Sequence, residues 1–136
     1  MISTKGRYAL RVIVDLAQHQ QGDEFIPLKD IAARQEISEK YLEIILKSLV
    51  KNKLLKGLRG KGGGYRLTRQ PEEYTIGEIL YLTEGTLAPV ACLTEDADPC
   101  ARAKSCSTLH MWKRFDSLIN DFFNSITIAD LMEENV

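Results

Sequence analysis

Apolar positions recur at three- and four-residue intervals toward both ends of the chain and alternate briefly between them. Ala9, Val12, Ile13, Leu16 and Ala17 fall on one face of a helix over residues 4–20, with Ser3 or Thr4 as its cap. Gln20-Gln21-Gly22-Asp23 ends it, and Pro27, suited to a first turn, opens a second helix through Arg34. Gln35, Glu36 and Ile37 connect to Ser38, which caps a third helix running to about Asn52 with Leu42, Ile45, Leu46 and Leu49 as its buried stripe. Leu54-Leu55 then lead into Arg59-Gly60-Lys61-Gly62-Gly63-Gly64, and Tyr65-Arg66-Leu67-Thr68 lead out, the pattern of a short hairpin.

Beyond Pro71, Thr75-Ile76-Gly77-Glu78 reads as a capping box opening a helix through about Leu82. From Leu109 onward, Trp112, Phe115, Ile119, Phe122, Phe123 and Ile126 recur every three or four residues as a broad apolar stripe. That is more apolar surface than a small winged domain covers from within one chain, so the helix is expected to mediate dimerisation. Thr127-Ile128-Ala129-Asp130 resembles a second box opening a short terminal helix. The expected fold class is mainly α: a winged helix-turn-helix with a two-stranded wing and a long C-terminal dimerisation helix.

Charge divides the chain the same way. Residues 1–70 hold 14 basic and 7 acidic side chains, residues 71–136 only 4 basic and 12 acidic, so a formal net charge of −1 conceals two different surfaces. Lys51 to Arg69 contains seven cations and no acid. Cations at the tip of a two-stranded finger suit a polyanion, because each phosphate neutralised releases counterions. Residues 1–70 are therefore expected to form the DNA-binding region and residues 71–136 a ligand-binding loop with the dimerisation helices. The partner is double-stranded DNA, met by a homodimer on a symmetric operator. The third helix is the recognition helix, with Ser38, Glu39, Lys40, Tyr41 and Glu43 facing bases or phosphates. Glu43 either accepts from cytosine or pairs with Lys47, four residues on. Arg59 and Lys61 on the wing face a minor groove or phosphate.

With 136 residues, 44% hydrophobic and 27% charged, the chain has the composition of a globular protein. No apolar run approaches the ~20 residues of a membrane span, and the N-terminus lacks a signal-peptide core; a cytoplasmic location is expected. Catalysis is not: Gly62-Gly63-Gly64 lack the closing Lys-Ser/Thr of a P-loop, and no nucleophile–base constellation stands out.

All three cysteines, Cys92, Cys100 and Cys106, lie between Pro89 and Ser107, with His110 four residues after the last. Thiolates gathered into one long loop suit a soft metal or an iron–sulfur cluster. Three thiolates and an imidazole satisfy a two-iron cluster, and the same groups could hold tetrahedral zinc, although no C-x₂-C pair is present. Bare redox thiols are the third possibility. His19, late in the first helix, is expected to be solvated.

Three segments carry a family resemblance: Ser3-Thr4-Lys5-Gly6-Arg7-Tyr8-Ala9, Ile37-Ser38-x-x-Tyr41-Leu42-Glu43, and Arg59-Gly60-x-Gly62-Gly63-Gly64-Tyr65. Together they resemble the IscR-type regulators, a family that includes the nitric-oxide-responsive NsrR and the cysteine-metabolism regulator CymR. The resemblance runs from Ser3 to about Leu131. It implies a dimeric bacterial transcription factor whose operator binding is governed by a 2Fe-2S cluster on Cys92, Cys100, Cys106 and His110, controlling iron–sulfur cluster assembly genes. A zinc-bound or thiol-redox-switched repressor of the same fold is the alternative. CymR is similar in the DNA-binding half but lacks the cysteine loop. IscR places its histidine three positions after the last cysteine; here that position is Leu109, and the imidazole follows at His110. NsrR-like proteins draw a carboxylate from the first helix, where this chain has Arg7 and Tyr8.

Overall fold

The computed structural model describes residues 2–94 and 102–136. Ser3, in extended conformation, accepts from the Gly6 amide and caps α1 (Thr4–His19), as its side-chain oxygen satisfies an otherwise orphaned donor. α2 (Leu28–Gln35) begins directly after Pro27, and Glu36 terminates it in the left-handed region at φ 54°. That conformation costs a non-glycine residue roughly 1–2 kcal/mol. It is held because the next residue, Ile37, is buried and donates to the Ala32 carbonyl at 3.1 Å. Ser38 then caps α3 (Glu39–Lys51), accepting from the Tyr41 amide. The α2–turn–α3 unit is the expected helix-turn-helix.

β1 (Leu55–Leu58) pairs antiparallel with β2 (Gly64–Leu67), Leu55 opposite Leu67 and Leu58 opposite Gly64. The tip turns through Gly60 and Gly62 at φ 91° and 76°. The sequence pattern indicates two strands; the structure adds a one-residue third. Ile26 and Tyr65 exchange both backbone hydrogen bonds at 2.9 Å. Gly64 permits this approach, since a β-carbon there would run into the Ile26 carbonyl. The wing is thereby fastened to the segment entering α2.

After a 3₁₀ turn at Pro71–Glu73 come α4 (Ile76–Glu84), α5 (Leu109–Asn124) and α6 (Ile128–Met132). α1 lies at the centre, touching α2, α3, β2, α4 and α6. Ala9, Val12, Ile13 and Leu16 of α1 share one buried cluster with Leu42 and Leu46 of α3, Ile79 and Leu80 of α4, and Ile128 of α6. The core thus draws on both the basic and the acidic stretches of the chain.

Both expected capping boxes cap a helix, but only one closes. Thr127 and Asp130 satisfy each other's backbone amides, whereas Thr75 accepts from the Glu78 amide and Glu78 does not return the bond. Its carboxylate is taken by Arg69, bidentate at 2.7 and 2.9 Å. The bond to Glu78 holds the Arg69 guanidinium above its usual pKa.

Tyr74 ties the wing to this second half. Its fully buried hydroxyl donates to the Leu54 carbonyl (2.6 Å) and accepts from the Thr68 and Arg69 amides (2.9 and 3.2 Å), joining the root of β1 to the exit of β2. Tyr74→Phe keeps the ring and leaves two amides without their acceptor. The expected cost is about 1–3 kcal/mol, with faster amide exchange at Thr68 and Arg69. Unchanged exchange at both would show that the hydroxyl does not fasten the wing.

The apolar stripe of α5 resolves into two neighbouring faces. Ile119 is buried, Trp112 and Phe123 are half-buried, and Ile126 is buried just past the helix end. Met111, Phe115, Leu118 and Phe122 instead form an exposed ridge, 41–58% accessible.

Candidate nucleic-acid interface and cysteine segment

α3 presents its N-terminal turn beside the wing. The Ser38 hydroxyl oxygen is committed to the cap, while Glu39 and Lys40 are exposed. Tyr41 is half-buried, its ring meeting that of Tyr8 edge to face with centroids 5.8 Å apart. Tyr8 in turn lies beneath the Arg11 guanidinium, which binds the Gln35 side chain and carbonyl. Glu43 pairs with Lys47 at 3.1 Å, both exposed. The ion-pair reading of Glu43 is thus the one this conformation adopts. Arg59 and Lys61 project at the wing tip, exposed. A groove between α3 and the wing is lined by Lys29, Glu39, Glu43, Lys47 and Arg59. At its edge Tyr65 is half-buried; burial, with Glu43 adding to it, raises the phenol pKa.

The orientation of α3 depends on residues the sequence did not single out. Asp15, completely buried on α1, accepts from Arg34 Nε at 3.0 Å and its terminal nitrogen at 2.7 Å, and from Gln35 Nε2 at 2.8 Å. The Asp15 bonds raise the Arg34 pKa above its usual value. The end of α2, and with it the turn into α3, is therefore clamped to the central helix. The signal available was one acidic residue between Ile13 and Leu16 in an otherwise apolar stretch; nothing local points to Arg34. His19 is half-exposed, its Nδ1 2.9 Å from the Asp15 carbonyl oxygen.

In the second half, Cys92 lies exposed in a 3₁₀ turn at Ala91–Leu93. Cys106 is partly exposed, its Sγ 3.4 Å from the Thr108 hydroxyl. That contact, reinforced by the Thr108 and Leu109 amides, pulls its thiol below the usual pKa, which favours the thiolate that metals and oxidants require. His110 is exposed in the first turn of α5. Cys100 lies outside the described residues. Among the described residues no three metal-ligating side chains are gathered together, so the donor types suit a soft metal while Cys92, Cys106 and His110 by themselves make no closed site. No helix among the described residues is long and apolar enough to cross a membrane.

A capped helix-turn-helix, a glycine-tipped basic wing fastened at its root and a cysteine segment leading into a long helix are now in place. A family model described as Rrf2, iron-dependent transcriptional regulator, matches residues 2–134. The chain belongs to the Rrf2 family. Over 134 residues it is 36% identical to the HTH-type transcriptional regulator IscR of Vibrio campbellii, spanning 98% of this chain and 78% of that one. Among solved structures it is similar to CymR, the global cysteine regulator of B. subtilis, with 36% identity, a TM-score of 0.79, and 98% and 97% of the two chains covered. It is also similar to T. potens IscR, with 34% identity, a TM-score of 0.74, and 100% and 88% covered. This Rrf2 protein is accordingly a DNA-binding transcriptional regulator of winged-helix fold, not an enzyme.

Proposed function

We propose that this Rrf2 regulator acts in the cytoplasm as a homodimer on a double-stranded operator, with its affinity set by a 2Fe-2S cluster, and that it controls iron–sulfur cluster assembly genes. The observation carrying the cluster reading is the donor set: three cysteines on one segment between α4 and α5, with His110 on the first turn after it. Cys92, Cys100 and Cys106 would supply thiolates and His110 an imidazole, a combination that accommodates two irons. When bound, the cluster supplies a redox- and supply-dependent charge. The chain's own part is to join that segment to the DNA-facing elements: α5 runs into Ile126 and Thr127, the Ile76 amide donates to the Ile126 carbonyl, and the Ile128 amide donates to Tyr74 at the root of the wing.

On the DNA side, Ser38, Glu39, Lys40, Tyr41 and Glu43 face the major groove, and Arg59 and Lys61 meet phosphate or a minor groove. Removing both wing cations as Arg59→Ala with Lys61→Ala should weaken binding to every duplex and reduce the slope of log K against log salt by about 2. An unchanged slope would take the wing tip off the phosphates.

The decisive experiment for the cluster is anaerobic purification, with iron, acid-labile sulfide and absorption measured beside operator affinity before and after cluster removal. A coloured protein with about two irons and two sulfides per chain is expected, with affinities differing by about 5–150-fold between the forms. Equal affinities would end the cluster-switch reading. The depressed Cys106 thiol favours one second reading, a thiol-redox switch of the same fold. It would show as a protein that stays colourless after reconstitution and whose affinity follows oxidation alone.

A further inference from the structure

Ile44 is 56% exposed on α3. Lys40, Ile44, Lys47 and Lys51 follow one another at i, i+4, i+7 and i+11, forming a ridge on the side opposite the buried stripe Leu42, Ile45, Leu46 and Leu49. The three lysines are exposed, so the isoleucine stands alone within a cationic face. Among the described residues, only two large exposed hydrophobics precede residue 70, Ile44 on this ridge and Leu58 where the wing meets α3; the others lie on α4, α5 and the C-terminus. Folding gains little from either, and isoleucine is a poorer helix former than the lysines around it.

Major-groove edges offer donors, acceptors and one apolar group, the C5 methyl of thymine. Lysines hold phosphate without distinguishing that methyl from a bare ring position. A branched aliphatic side chain between them can, because burying a methyl against it removes both from water. From this arrangement we propose that Ile44 is a specificity-determining residue that reads a thymine methyl in each operator half-site. The inference rests on the placement of α3 in the major groove proposed above.

The test begins by enriching binding sequences from a random duplex pool with the full-length protein. Each thymine of the enriched site is then replaced singly by 2′-deoxyuridine, which deletes only the methyl. Wild-type protein is expected to lose about fourfold in affinity at one thymine per half-site, while Ile44→Ala binds the thymine and uracil duplexes equally. Alanine is the better helix former, so the variant should fold at least as well and keep the wild-type salt slope, no phosphate contact having been removed. If every uracil substitution is neutral, or if the penalty persists in Ile44→Ala, Ile44 does not read thymine although α3 still reads the operator. If no sequence is enriched at all, the groove placement of α3 falls, and this inference with it.

Discussion

Arg34→Ala should destabilise the protein by about 3 kcal/mol and lower its melting temperature by about 10 °C. The reason is an asymmetry in the clamp between α1 and α2. The Asp15 carboxylate is fully buried, whereas the Arg34 side chain remains one-third exposed. Deleting the guanidinium leaves a buried anion with Gln35 as its main remaining donor, and water cannot easily reach it. Deleting the carboxylate instead lets Arg34 swing outward and rehydrate, so Asp15→Ala should cost less, about 1–2 kcal/mol. Replacing both, as Asp15→Leu with Arg34→Leu, should recover much of the loss, because a well-packed apolar pair often matches a buried ion pair. Thermal unfolding of the single and double variants checks the ordering. Equal small losses for both single variants would mean that water reaches the carboxylate and the clamp is weak. Since the same residues fix the exit of α2 into the turn before α3, operator affinity should fall with stability in Arg34→Ala but return in the double variant.

The clamp also marks where sequence reading stopped. Local signals were sufficient for the elements themselves: Ser3, Ser38 and Thr127 cap the helices they precede, and the glycine run between two short apolar segments forms the wing. Each signal lies within four or five residues, the range over which caps, turns and helix faces act. What was not legible spans longer distances. Asp15 meets Arg34 across a loop, Ile26 pairs with Tyr65 across two helices, and the Tyr74 hydroxyl finds three backbone groups of the wing. Glu78 shows the competition directly: its spacing from Thr75 fits a capping box, but Arg69 offers two charge-assisted bonds in place of one. For the cysteine segment the residue types were legible and their assembly was not. Spacing puts three thiols on one stretch, but a common centre depends on contacts beyond the range of local signals, and Cys100 lies outside the described residues.

The largest loss of operator binding is expected from Leu118→Glu combined with Phe122→Glu on α5. Met111, Phe115, Leu118 and Phe122 recur at i, i+4, i+7 and i+11 and are 54, 41, 58 and 55% exposed. This ridge sits beside the face that packs inward through Ile119 and Phe123. A helix needs only the inward face to hold its own fold, so four large apolar side chains in water on the next face require a partner. On the homodimer proposed above that partner is a second copy, and a two-fold pair would present two recognition helices to successive half-sites of one operator. Two glutamates on the ridge would put like charges face to face across the two-fold axis, in addition to removing apolar area. Sedimentation should then show a monomer, while the fold persists because neither residue is part of the core. With one half-site engaged instead of two, affinity should fall by about 10²- to 10⁴-fold, the gain that linkage of two sites provides. Ser117→Glu, on the exposed opposite side of the same helix, adds one negative charge away from the ridge and should leave both dimer and affinity intact. A double variant that remains dimeric would move the interface elsewhere, and one that becomes monomeric yet binds at full affinity would mean that a single winged helix suffices for the operator.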